Sequence, residues 1–127
     1  MSKPVILLVD DEADLLDVMS TTIQLNMPEY DVAIAENIDD AILFVDSLGE
    51  QGKELALTVV DHVLGGRTGF EFIQLLNHRF PDVPKMMFTG QAPASVERSA
   101  KKIGARVLWK PVPLSTLMGE VQQMLGA

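Results

Sequence analysis

The sequence predicts an α/β fold: a five-stranded parallel sheet wound on both faces by helices. Three observations predict it. Val5 to Val9 is a continuous apolar run and Leu55 to Val60 an almost wholly apolar one, neither alternating, the pattern of strands covered on both faces. Both runs end abruptly in carboxylates, at Asp10-Asp11-Glu12 and at Asp61. Strand-like and helix-like segments then alternate along the whole chain, the order that builds a central parallel sheet with right-handed crossovers.

The elements follow in order. After the first strand, Leu15, Leu16, Val18, Met19, Ile23 and Met27 recur at helical spacing from Ala13 to Met27, and Pro28 closes that helix. Tyr30 to Ala35 reads as a short second strand. Asn37 is an N-cap for a helix that carries Ala41, Ile42, Phe44, Val45 and Leu48 on one face. Gly49 to Glu54 is a polar link to the third strand, and His62 to Gly69 reads as a loop behind Asp61. Thr68-Gly69-Phe70-Glu71 matches a capping box opening a helix through Phe72, Ile73 and Leu76 that stops near Pro81. Lys85 to Phe88 is a fourth strand of weaker propensity, ending in Thr89-Gly90. Ala94 to Ile103 forms a short helix with Gly104 as its stop. Arg106 to Trp109 is the fifth strand, ending in Lys110-Pro111. Pro113 precedes a last amphipathic helix marked by Leu114, Leu117, Met118, Val121 and Leu125.

Composition narrows the function classes. A chain of 127 residues, 47% apolar, fits one domain with a real core. It has no cysteine, which excludes disulfides, thiol catalysis and cysteine-based zinc sites. No apolar run approaches membrane-spanning length and no signal-peptide pattern opens the chain, so a cytoplasmic protein is expected. A net charge of −8 argues against general nucleic-acid binding.

Four strands deliver polar side chains to one carboxyl rim: Asp10 and Asp11, Asp61, Thr89, and Lys110. Ligands bind at that rim in open α/β sheets. Each residue alone fits a turn cap, but the set does not. Clustered carboxylates repel unless a cation joins them, and oxygen donors suit a hard ion such as magnesium. An ammonium and a hydroxyl beside them are what a phosphoryl group needs for its oxygens. The combination points to phosphoryl transfer onto a carboxylate, Asp61 attacking phosphorus to give an acyl phosphate.

These residues resemble the receiver domains of two-component response regulators. The resemblance runs from Val5-Ile6-Leu7-Leu8-Val9-Asp10-Asp11-Glu12 through Thr58-Val59-Val60-Asp61, with Gly69 eight residues on, to Phe88-Thr89-Gly90, Lys110-Pro111 and the last helix. It implies one receiver domain over residues 1–127, with a flavodoxin-like sheet of order 2-1-3-4-5. Asp61 would be the phospho-acceptor, served by a histidine kinase, a phosphotransfer protein or a small phosphodonor. Asp11, Asp61 and the Val63 carbonyl would bind Mg2+ directly, and Asp10 would do so through water. Lys110 and Thr89 would contact the phosphoryl oxygens, and Lys110-Pro111 would be cis. The family further implies a switch rather than an enzyme with an independent substrate. Its partners would be a downstream protein or output domain, or a second copy in a homodimer, with no membrane or direct nucleic-acid contact.

Several positions depart from the family pattern. Val107 stands where receivers carry a rotating aromatic ring, and Trp109 lies on the same side of its strand by alternation. Gly65 replaces a proline, so a looser loop is expected. Val63 and Gln91, two residues beyond Asp61 and Thr89, are not acidic, which predicts slow self-dephosphorylation. A phosphohydrolase would want an acid at Val63. The competing reading is a phosphorylation-independent interaction module. His62 and His78 read as structural, and Glu12 and Asp14 as complements to a helix N-terminus. Gly65-Gly66-Arg67-Thr68-Gly69 lacks a P-loop ending and reads as a turn. Arg98, Lys101, Lys102 and Arg106 read as one basic patch, a solvated face or a docking surface.

Overall fold

The computed structural model describes residues 3–126. In chain order the elements are β1 (Val5–Val9), α1 (Ala13–Asn26), β2 (Asp31–Ala35), α2 (Ile38–Gln51), β3 (Leu55–Val60), β4 (Val63–Leu64), β5 (Arg67–Thr68), α3 (Gly69–Arg79), β6 (Lys85–Thr89), α4 (Ala94–Lys102), β7 (Ala105–Trp109) and α5 (Leu114–Met124). The main sheet runs β2-β1-β3-β6-β7, parallel throughout. That is the expected 2-1-3-4-5 once β4 and β5 are set aside.

Those two strands are the departure from the expected loop. They pair antiparallel, Val63 with Thr68 and Leu64 with Arg67, around Gly65 at a φ of 67°. Two residues per strand are too few to show a period of two in sequence. The left-handed turn at Gly65 is one that glycine enters without a Cβ clash.

Local chemistry sets the helix boundaries. Asn37 Oδ1 accepts from the Asp40 amide at 2.7 Å to start α2, which ends on Gly52 in the left-handed conformation. Thr68 and Glu71 form the reciprocal capping box that starts α3. Asp31, not Tyr30, opens β2, and α4 stops one residue before Ile103.

The sheet separates two apolar layers. Leu7, Val9, Val60 and Met87 face α2, α3 and α4 through Val45, Phe72, Ile73 and Ala100. Ile6, Leu8, Leu57, Val59 and Met86 face α1 and α5 through Leu16, Ile23, Leu117 and Val121. Every residue of β1 and β6 is buried, whereas the edge strands β2 and β7 are mostly not. Double coverage is why β1 is wholly apolar and β3 is apolar but for Thr58, whose hydroxyl donates to Leu7 O at 3.1 Å.

Lys85 explains the weak strand signal of β6. It is 2% exposed, and its Nζ donates to the Phe80 carbonyl at 3.1 Å and the Val83 carbonyl at 2.6 Å. A buried ammonium is tolerated when hydrogen bonds replace water. Those two bonds also fix the turn from α3 into β6.

Candidate functional site

Backbone pairing carries each site residue to the sheet's carboxyl rim. The Asp10 amide donates to Ala35 O at 3.1 Å, the Asp61 amide to Val9 O at 3.0 Å, and the Lys110 amide to Thr89 O at 2.9 Å. Each of these residues thus prolongs the ladder one step past its strand. Side chains at the three strand ends consequently converge with little freedom in the backbone that bears them. The Lys110-Pro111 peptide is cis, as the resemblance implies.

Lys110 holds the centre. Its Nζ lies 2.8 Å from Asp10 Oδ2, 3.2 Å from Asp61 Oδ2 and 3.7 Å from Glu12 Oε1, and 5.4 Å from the centroid of the Phe88 ring. Asp10 is 1% exposed and its Oδ1 accepts from the Glu12 amide at 2.9 Å. Both of its oxygens are therefore engaged. Asp61 is buried, and its Oδ1 takes a long 3.4 Å bond from the Val63 amide.

The electrostatics follow from this burial. Desolvation pushes the Asp10 carboxyl above its ordinary value, and the hydrogen bonds from Lys110 and the Glu12 amide offset this only in part. Burial alone would lower the Lys110 ammonium, but the bond to Asp10 and the charges of Asp10 and Asp61 outweigh it and hold the pKa up. Lys110 is thus a fixed positive charge at the pH of a cell.

Oxygen atoms of Asp10, Asp11 and Asp61 all lie within 4.8 Å of one another. Beside them opens a cavity of about 220 Å³ lined by Asp11, Glu12, Asp61, Val63, Thr89, Gly90, Gln91 and Lys110. Asp10 sits behind this wall rather than in it. A hard, oxygen-only donor set around a small open cavity fits a magnesium ion. It offers no soft ligand for zinc or copper.

Thr89 is fully buried and reaches the same cavity. Its hydroxyl donates to Gln91 O at 3.0 Å and accepts from the Gln91 amide at 3.2 Å, so it is engaged within its own loop. The sequence reading thus brings Asp10, Asp11, Asp61, Val63, Thr89 and Lys110 to one place. It missed Glu12, read as a helix-end charge but facing Lys110, and Phe88 beneath the ammonium. The signal for both was adjacency, since each neighbours a rim residue in sequence.

The other singled-out residues separate from the site. His62 is buried beside Asp61, with Nδ1 lacking a hydrogen-bond partner among the described residues, and desolvation keeps the imidazole below its ordinary pKa. His78 is exposed. Arg67 pairs with Asp39 at 2.6 Å, tying β5 to α2. The basic patch splits: Arg98, Lys101 and Lys102 are exposed on α4, while Arg106 binds Glu120 at 2.6 Å and Gln123 at 2.9 Å on α5. Alternation along β7 sends Arg106 to the opposite face of the sheet from α4.

Known proteins share this fold. Residues 6–122 match the family model of the response regulator receiver domain. Response regulator protein PilR of Pseudomonas aeruginosa is 31% identical over 118 residues, 92% of this chain and 25% of PilR, so the chain spans about a quarter of that relative. The CheY-like receiver domain protein of Methanospirillum hungatei superposes with a TM-score of 0.86 at 24% identity, covering 98% of this chain and 95% of the other. The beryllofluoride-activated NtrC4 receiver domain dimer gives a TM-score of 0.82 at 21% identity, over 96% of each chain. At these identities the two structures speak for the fold alone. Among the described residues no helix is long and apolar enough to cross a membrane.

Proposed function

The chain belongs to the response regulator receiver domain family, and on that premise we propose that it is a phosphorylation-dependent switch that accepts a phosphoryl group on Asp61. The observation that carries the reading is Lys110 Nζ, 2.8 Å from Asp10 and 3.2 Å from Asp61, on the wall of a cavity shared with Asp11 and Thr89. A capping role needs none of these long-range contacts.

The residues fit a magnesium ion, which Asp11, Asp61 and the Val63 carbonyl would hold. Asp10, with its oxygens bonded to Lys110 and the Glu12 amide, would support the ion from behind. When bound, the ion offsets the negative charge that gathers on the phosphoryl oxygens. A carboxylate oxygen of Asp61 attacks phosphorus as the bond to the donor's histidine nitrogen breaks, and the imidazole leaves with the electron pair. Lys110 then exchanges part of its contact with Asp61 for the phosphoryl oxygens, a charge-assisted bond it can form without changing protonation. Thr89 donates its hydroxyl proton to the same group after leaving Gln91.

The donor is a histidine kinase or phosphotransfer protein, and the product is a changed surface read by a downstream protein or output domain. The NtrC4 receiver was solved as a dimer in its activated form. A phosphorylation-stabilised homodimer is the corresponding proposal for this chain.

Intact mass after incubation with acetyl phosphate and magnesium tests the reading. Wild-type protein gains one phosphoryl group, and neither Asp61→Ala nor wild type without magnesium does. A folded wild type that gains nothing under these conditions, or from histidine kinases, overturns the reading in favour of a phosphorylation-independent module.

A further inference from the structure

Signal has to leave the site without the ring that Val107 lacks. Val107 packs into the layer of α2, α3 and α4. Trp109, two residues on, shares that face of β7 and is the strand partner of Thr89 on β6. Its Nε1 donates to Glu97 Oε1 at 3.3 Å, in the first turn of α4. Lys101 Nζ lies 3.3 Å from the same oxygen. The bond from Trp109, then that from Lys101, keeps the Glu97 carboxyl below its ordinary value, so the acceptor is charged.

The two ends of α4 are held differently. At the carboxyl end Asn77 Nδ2 donates to Ile103 O at 3.0 Å. At the amino end the helix starts on Pro93 without a side-chain cap, and Trp109 to Glu97 is the side-chain hydrogen bond tying that end to the sheet among the described residues. Only Ala100 of α4 is fully buried. Val96 packs partly buried against the core at the amino end, so the Trp109 bond supplements a modest apolar contact there.

The motion has a source. The Thr89 hydroxyl has a single proton, now given to Gln91 O, and it also receives the Gln91 amide. Giving that proton to a phosphoryl group on Asp61 releases Gln91. Residues 90–93 must then rearrange, and they lead directly into α4. Trp109 does not follow, because β7 stays paired with β6 and the neighbouring Lys110 keeps its bond to Asp10.

We propose that the Trp109–Glu97 hydrogen bond is a latch that holds the amino end of α4 against β7 in the unphosphorylated protein and opens when Thr89 is drawn to the phosphoryl group. The inference rests on the phosphorylation reading above and gives that site its outward coupling.

Trp109 is the sequence's one tryptophan, so its fluorescence reports the latch directly. The test uses magnesium and beryllofluoride as the phosphoryl mimic, with binding followed independently by the rise in melting temperature that Asp61→Ala abolishes. Beryllofluoride is expected to red-shift wild-type emission and increase quenching by acrylamide. Glu97→Ala should show that open spectrum unliganded and bind beryllofluoride roughly 2- to 10-fold more tightly, the factor one exposed hydrogen bond supplies. Glu97→Gln, which keeps an acceptor oxygen, and Lys101→Ala, which keeps Glu97, should retain the closed resting spectrum. Beryllofluoride binding without a change in Trp109 emission, or Glu97→Ala binding it no more tightly than wild type, overturns the latch and leaves the phosphorylation reading standing. Failure of wild type to bind beryllofluoride overturns both.

Discussion

A Cβ placed on Gly69 would lie 2.2 Å from the carbonyl oxygen of Asp61 and 2.9 Å from its carbonyl carbon. The start of α3 therefore packs directly on the backbone that carries the proposed acceptor, and the Gly69 amide donates to His62 O at 2.8 Å. Both contacts are with backbone, which cannot rotate aside. Gly69→Ala is expected to cost about 1–3 kcal/mol as strain in a packed site. It should also slow phosphoryl uptake by displacing Asp61. Urea denaturation and the acetyl phosphate mass assay check the two effects separately.

Asp11 offers a test of the proposed metal site with the opposite sign for stability. It is exposed, and its carboxylate makes no hydrogen bond among the described residues, yet its oxygen lies within 4.8 Å of those of Asp10 and Asp61. Like charges at that distance in water repel by on the order of 1 kcal/mol. Asp11→Asn should therefore raise the melting temperature of the metal-free protein. Added magnesium, which should stabilise wild type by mass action, should leave the variant nearly unmoved. Thermal melts with chelator and with magnesium make the comparison.

How much of this was legible in sequence depended on coverage by neighbouring layers. Val5 to Val9 and Leu55 to Val60 declare themselves because both faces are dry. β2 and β7 blur because an edge strand leaves one flank to solvent. Asp10, Asp61 and Lys110 could be grouped only through the strand-helix order, since Lys110 lies 100 residues from Asp10 and 49 from Asp61. No local pattern records such a pair. The β4–β5 hairpin is too short to have a period, and Arg106 looked like a neighbour of Lys101 until alternation along β7 sent it to α5. The partner of Trp109 lies on another element, so composition and spacing could not name Glu97.

Lys85 sets a pH dependence remote from the site. Desolvation lowers its pKa from the ordinary 10.5, with the charge of Asp82 opposing. Below the folded value both states are protonated and the full cost of burying the ammonium is present. Between the folded and unfolded values the unfolded chain binds more protons, so stability rises with pH. Lys85→Met removes the titration and also the two carbonyl contacts. The stability of wild type relative to Lys85→Met is expected to climb as the pH rises towards the ordinary lysine value of 10.5. Parallel urea titrations across that range would show a flat difference if the ammonium were not desolvated.

Lifetime of the proposed acyl phosphate turns on what a water finds in the cavity. Attack on phosphorus is accelerated when a base takes the water's proton as the new bond forms. Val63 and Gln91 both line the cavity, and both are exposed. Val63 brings no proton acceptor and Gln91 only an amide. Asp10 stays bonded to Lys110 and Asp61 carries the phosphoryl group, which leaves Asp11 facing the proposed metal position rather than a free water. The phosphoryl group should therefore persist, decaying slowly at neutral pH. Val63→Glu places a carboxylate on the open wall two residues past Asp61. It is expected to shorten the lifetime by on the order of 10-fold, short of what a fully positioned base achieves. Decay of the phosphorylated mass after removal of donor measures both proteins, and equal decay rates would mean that water reaches phosphorus from the Gln91 side instead.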